Sequence, residues 1–202
     1  MTMRRRIVLG AALAAPFAAH AAPQLIAALR EGGLTVYMRH AITDRSQFDT
    51  GRLGDRAGQR NLSAAGRAQA TRLGQAIRAL SIPVGAVLAS PVFRAADTAE
   101  LAFGADGYRV EPFLTADDYT PDAALLSANI ARTRARLAEA PRSGSDILAN
   151  DILVGHIVPL GMIIGRSLSQ AEFPEGALAL FRPGAPTLIG IVPAEALIAA
   201  AP

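Results

Sequence analysis

Three short apolar runs constrain this chain more than any other feature, because each ends abruptly on polar or cationic residues. "LTVYM" at 34–38 stops at Arg39-His40, "GAVLA" at 85–89 stops at Ser90-Pro91, and "DILVG" at 151–155 stops at His156. Runs this short and this uniformly apolar read as strands covered on both faces, the situation of a parallel sheet. Helical segments separate them. Residues 24–31 read as a short helix, and 63–80 as a longer one capped by Ser63, with Leu73, Ala76, Ile77 and Leu80 on one face. "PVFRAADTAELAF" reads as a helix with Ser90 as cap and Pro91 at its first position. "YRVEPF" at 108–113 is a further strand candidate, and Thr120-Pro121-Asp122 opens a helix with Leu126, Ile130, Thr133 and Leu137 on one face. "VPLGMIIGRSL" reads as the helix after the third run, and "ALALFRP" and "TLIGIVP" as a closing hairpin. Strand–helix alternation of this kind predicts a three-layer α/β/α sandwich with a mostly parallel central sheet.

Residues 1–21 carry a different signal. Arg4, Arg5 and Arg6 precede an apolar segment ending in Ala19-His20-Ala21, the pattern of a cleavable signal peptide, which leaves 22–202 as one domain. The consecutive arginines also fit a twin-arginine export signal. The apolar segment is shorter than the roughly 20 residues that span a bilayer, so no membrane span is expected in the mature chain. The expected location is therefore the periplasm or the medium. With no cysteine, the chain has neither disulfides nor a thiolate metal site.

Composition limits the partners. The full chain has 20 basic and 17 acidic side chains, and the three leading arginines account for the whole excess. The remainder is formally neutral, has no lysine and lacks basic runs interleaved with aromatics, which argues against a nucleic-acid partner.

In open parallel sheets, ligands bind beyond the carboxyl ends of the strands. Both histidines of the 22–202 segment stand at such ends, His40 beside Arg39 and His156 after Gly155. Arg94 lies one turn into the helix that follows the second strand. Arginines offer planar forks that match phosphate oxygens, and helix N-termini favour anions.

The ordered set "RHA", "NLSAAGRAQA", "SPVFRAADTA" and "VGH" resembles the histidine phosphatase (phosphoglycerate-mutase-like) superfamily over residues 34 to about 183. The resemblance implies a nucleophilic His40 that accepts a phosphoryl group. Arg39, Arg94 and His156 would bind the phosphoryl oxygens, and Thr43 could add a hydroxyl. It implies a small phosphorylated substrate and neither cofactor nor metal. Gly66 would permit close helix packing. Departure of an alkoxide needs a general acid. Ile157 follows the second histidine, so an acid at that position is absent. The candidates are Asp117 and Asp118 in "LTADDYTP", with Asp117 ahead because Asp118 lies closer to the helix start, and then Glu111, expected inside a strand. The resulting expectation is an exported phosphatase working through a phosphohistidine. A non-catalytic phosphate- or phosphosugar-binding domain, a phosphohistidine phosphatase and a mutase are the alternatives. The polar loop 44–60, with Arg45, Arg52, Arg56 and Arg60, is expected to shape leaving-group recognition.

Overall fold

The computed structural model describes residues 22–141, 148–184 and 186–202; the expected signal segment 1–21 lies outside the described residues. Helix α1 (Ala22–Glu31) leads into β1 (Thr35–Arg39). Then follow α2 (Ala64–Ala79), β2 (Val84–Ala89), α3 (Phe93–Phe103) and the two-residue β3 (Arg109–Val110). Two 3-10 turns, Pro112–Leu114 and Asp117–Tyr119, precede α4 (Ala123–Ala138). The chain closes with β4 (Asn150–Gly155), α5 (Ile157–Ile164), β5 (Leu178–Arg182), β6 (Thr187–Val192) and α6 (Ala194–Ala200).

The strands form one sheet in the order β3-β2-β4-β1-β5-β6. The pairings β3–β2, β2–β4 and β4–β1 are parallel, and β5 and β6 are added antiparallel as the expected hairpin. Alternation along each strand divides the core in two. Val36, Met38, Val87, Ala89, Ile152 and Val154 pack against Leu29 of α1, Leu73 and Ile77 of α2, Ala95 and Ala99 of α3 and Leu197 of α6. Tyr37, Leu88, Leu153, Ala179 and Phe181 point the other way, onto Leu137 of α4 and Leu160 and Ile163 of α5. The fold is the three-layer α/β sandwich expected. Both faces of the central strands are covered, which is why β1 and β4 show no polar alternation.

Local departures have local causes. "YRVEPF" forms only two strand residues, both exposed; Pro112 has no N–H for a ladder, and Glu111 instead precedes the first 3-10 turn. Ser90 does not cap α3, which begins at Phe93 after Val92. Helix α5 ends at Ile164 because Gly165 turns left-handed (φ 75°). Gly66 admits the carbonyl of Ile42, from the loop after β1, rather than another helix: a Cβ there would overlap it. Helix α6 was not among the expected elements.

Candidate active site

Parallel pairing sets the site. Arg39, the last residue of β1, pairs with Gly155, the last of β4, and Ala89 of β2 pairs with Val154. The residues that follow these strands, His40, His156 and Ser90, therefore emerge side by side at one rim of the sheet. The rings of His40 and His156 have centroids 5.5 Å apart at 52°. Both side chains are buried.

His40 Nδ1 lies 2.9 Å from the carbonyl oxygen of Ala41. A carbonyl can only accept, so Nδ1 carries the proton and Nε2 keeps its lone pair. Burial, then the charge of Arg94, hold the imidazole well below its ordinary pKa, and the same two influences hold His156 down. Both rings are therefore neutral near pH 7. His156 Nε2 meets the hydroxyl of Ser90 at 2.9 Å, and its Nδ1 is buried without a hydrogen-bond partner among the described residues. The backbone of His156 is gripped by Tyr37, whose hydroxyl accepts from His156 N (2.9 Å) and donates to His156 O (3.1 Å). Gly155 makes room for this, since a Cβ there would overlap the Tyr37 hydroxyl.

Two buried arginines face the histidines. Arg39 donates from Nη1 to the Phe173 carbonyl (2.6 Å), while its buried Nε has no partner among the described residues. Burial holds its pKa down to about 10, against the pull of Glu175, so it remains a cation near neutrality. Arg94 is 3% exposed and is engaged by two carboxylates: Asp49 Oδ1 at 2.9 Å from Nη1 and Asp118 Oδ2 at 3.4 Å from Nη2. Asp49 also accepts from the Tyr119 hydroxyl and from the backbone N–H of Arg60 (2.9 Å). Burial opposes the charge on Asp49, but Tyr119, the Arg60 amide and Arg94 together hold its carboxyl below the ordinary range. Asp118 is shifted the other way. Burial raises its pKa, Arg94 opposes the rise, and the like charges of Asp49 and Asp117 add to it.

The arrangement is an imidazole with an unprotonated nitrogen, two buried guanidinium groups at the same rim, and a carboxyl group whose pKa is raised. Residues 36–116 match the sequence model of the histidine phosphatase superfamily (branch 1). Over that stretch the chain is similar to the superfamily. No curated protein matches the sequence. Among solved structures, the chain is similar to the protein histidine phosphatase SixA complexed with tungstate, at 17% identity and TM-score 0.53, covering 81% of this chain and 99% of that one. It is also similar to the alpha-ribazole phosphatase from Shigella flexneri, at 17% identity and TM-score 0.54, covering 80% and 96%. The phosphoserine phosphatase from Entamoeba histolytica, in complex with 3-phosphoglyceric acid, matches at 17% identity and TM-score 0.53, covering 81% and 98%. At these identities the structures speak for the histidine phosphatase fold.

The structure brings Arg39, His40, Arg94 and His156 together, but places three other sequence candidates differently. The hydroxyl proton of Thr43, expected on phosphate, goes to Glu175 Oε1 at 2.7 Å. Asp117 opens the second 3-10 turn, and it is its neighbour Asp118 that reaches Arg94. Glu111 stands outside any strand, before the first 3-10 turn. Two site residues went unread in the sequence, Asp49 and Tyr119, while Ser90, read there as a strand end and helix cap, meets His156 instead. Of the loop arginines, Arg56 fastens the loop to α3 through paired bonds to Asp97 (2.7 and 2.9 Å) and a stack on Phe93 (4.0 Å). Buried Gln59 completes the attachment by accepting from Phe93 N at 2.9 Å. The loop is thus held over the α3 N-terminus, which is what brings Asp49 to Arg94.

Proposed function

We propose that this chain is an exported phosphatase that hydrolyses phosphomonoesters through a phosphohistidine formed on His40. The observation that carries the reading is the bond from His40 Nδ1–H to the Ala41 carbonyl, which leaves Nε2 unprotonated among buried arginines. A binding domain has no use for a nucleophile held in that state. The Nε2–P bond forms as the bond from phosphorus to the alcohol oxygen breaks, and the departing oxygen takes a proton from Asp118. Water then attacks the phosphohistidine, giving its proton to the Asp118 carboxylate, and the P–N electron pair returns to Nε2. Charge spread over the phosphoryl oxygens in both steps is met by the guanidinium groups of Arg39 and Arg94 and by His156.

Asp118 is the better acid of the two adjacent aspartates. Its carboxylate touches the arginine expected to hold the phosphoryl group, and its pKa is raised, which keeps more of it protonated at working pH. Asp49, bound more tightly to the same arginine, is held ionised and cannot serve. The reaction as written uses no metal ion. Export rests on the arginine-led apolar segment at 1–21 and its Ala19-His20-Ala21 site.

The test is turnover of a nitrophenyl phosphate by His40→Ala. The reading predicts activity at background with an unchanged circular dichroism spectrum. Turnover retained by the variant overturns it.

A further inference from the structure

The hydroxyl of Ser90 sits between two nitrogens, and the bookkeeping of its single proton has a consequence for His156. Val92 N lies 3.2 Å from Ser90 Oγ, and a backbone N–H can only donate. That contact uses one lone pair of the hydroxyl oxygen. On the other side, His156 Nε2 lies 2.9 Å from the same oxygen. If Nε2 carried a proton, Ser90 Oγ would accept twice and its own O–H would be left without an acceptor. Ser90 is fully buried, so water cannot serve in its place. An orphaned buried donor costs on the order of 1–3 kcal/mol. If Nε2 is bare, Ser90 donates to it and every group at the junction is satisfied.

The neutral imidazole then carries its proton on Nδ1. That atom is buried and has no partner among the described residues, and its ring lies 5.5 Å from the ring of His40. Nδ1 lacks a partner among the described residues in either tautomer, as an orphaned donor or an orphaned acceptor, so what separates the two is that only the Nδ1–H form leaves the Ser90 hydroxyl satisfied. The grip of Tyr37 on the N–H and C=O of His156 fixes the backbone from which the ring projects.

We infer that Ser90 is a positioning residue: by donating to Nε2 it fixes His156 as the Nδ1–H tautomer, so that Nδ1 presents a donor to an oxygen of the phosphoryl group on its way to His40. The catalytic half of this statement rests on the proposed phosphatase activity; the tautomer does not. Ser90 thereby works on His156 as the Ala41 carbonyl works on His40, with the opposite outcome for Nε2: there the bare nitrogen is free to attack, here it is occupied.

The experiment is ¹⁵N NMR of the histidine side chains in ¹⁵N-histidine-labelled protein at neutral pH, with His156→Gln used to assign the signals. For wild type, His156 is expected to show a protonated Nδ1 and a bare Nε2. Ser90→Ala should shift the proton toward Nε2, while Ser90→Thr, which keeps a hydroxyl, should restore the wild-type pattern. Tyr37→Phe, which leaves the hydroxyl of Ser90 in place, should not alter it. In turnover, Ser90→Ala should lower kcat and kcat/KM together by roughly 10- to 100-fold, the scale of losing a partner that orients a functional histidine. A wild-type His156 protonated on Nε2 overturns the inference whatever the variants do, as does an unchanged tautomer in folded Ser90→Ala. Wild-type protein with the stated tautomer and no phosphatase activity would overturn the proposed function and leave the assignment of Ser90 standing.

Discussion

Asp49 Oδ1 lies 2.9 Å from Nη1 of Arg94, so the arginine proposed to hold a phosphoryl group is already held by a carboxylate of the protein's own loop. Asp118 takes the other Nη of the same guanidinium. On the proposed function, a phosphate reaching Arg94 meets it in competition with Asp49 and feels the negative charge beside it.

Asp49→Asn should therefore tighten the binding of inorganic phosphate. Removing one like charge from beside the phosphate is worth at least about 1 kcal/mol, the bulk-water value for charges ~4 Å apart, or roughly fivefold or more in affinity. Competitive inhibition of nitrophenyl phosphate turnover by phosphate measures it. Weaker inhibition in the variant would mean that Asp49 serves mainly to aim Arg94.

Asp118 should reveal itself through its leaving group. An alkyl phosphate departs as a basic alkoxide and needs a proton, so Asp118→Asn should slow its hydrolysis by roughly 10²- to 10⁴-fold. A nitrophenyl phosphate departs as a weak base and should be slowed far less. With the raised pKa of Asp118, wild-type kcat on alkyl phosphates should fall as pH rises through that value, and this limb should vanish in the variant. Asp117→Asn should preserve both the selectivity and the limb. If Asp117→Asn alone reproduces the leaving-group selectivity, the roles are exchanged.

The two neutral histidines also predict how stability depends on acidity. Their folded pKa values lie well below the ordinary imidazole value, so below about pH 6.5 the unfolded chain binds protons that the folded chain does not. Their contribution is fully present above about pH 6.5 and is lost as pH falls below it. With two such groups the slope can reach about 2.7 kcal/mol per pH unit. Urea denaturation between pH 7 and 5 should show it, and His156→Gln should remove about half of the slope. A stability that is flat across this range would mean the rings are not buried as neutral groups.

The sequence was most informative where burial leaves a sharp boundary. A strand covered on both faces gives no packing reason to end in Arg39-His40 or Gly155-His156, and those four positions with Arg94 lie together at one rim of the sheet. What stayed hidden depends on pairings far apart in the chain. Ser90-Pro91 at a strand–helix junction carries a local capping signal, yet the hydroxyl is taken by His156, 66 positions away. Thr43 finds Glu175, 132 positions on. Asp49 belongs to a polar loop without periodicity, and only the attachment of Arg56 and Gln59 to the start of α3 aims it at Arg94. The 3-10 turn Asp117–Tyr119 decides which of two adjacent aspartates reaches the arginine, and nothing in "ADDY" distinguishes them beforehand. The overreading of "YRVEPF" has a simpler cause, because Pro112 ends the ladder that the apolar pattern suggested.

The central claim is the covalent intermediate on His40, and rapid quenching with ³²P-labelled substrate tests it most directly. Wild-type protein mixed with substrate and quenched in base should carry label that is stable to alkali, released by acid, and located by mass spectrometry on the peptide containing His40. Asp118→Asn, in which water attack loses its base, should accumulate more of it. Turnover at full rate with no label on His40, or label on another residue, would contradict the account.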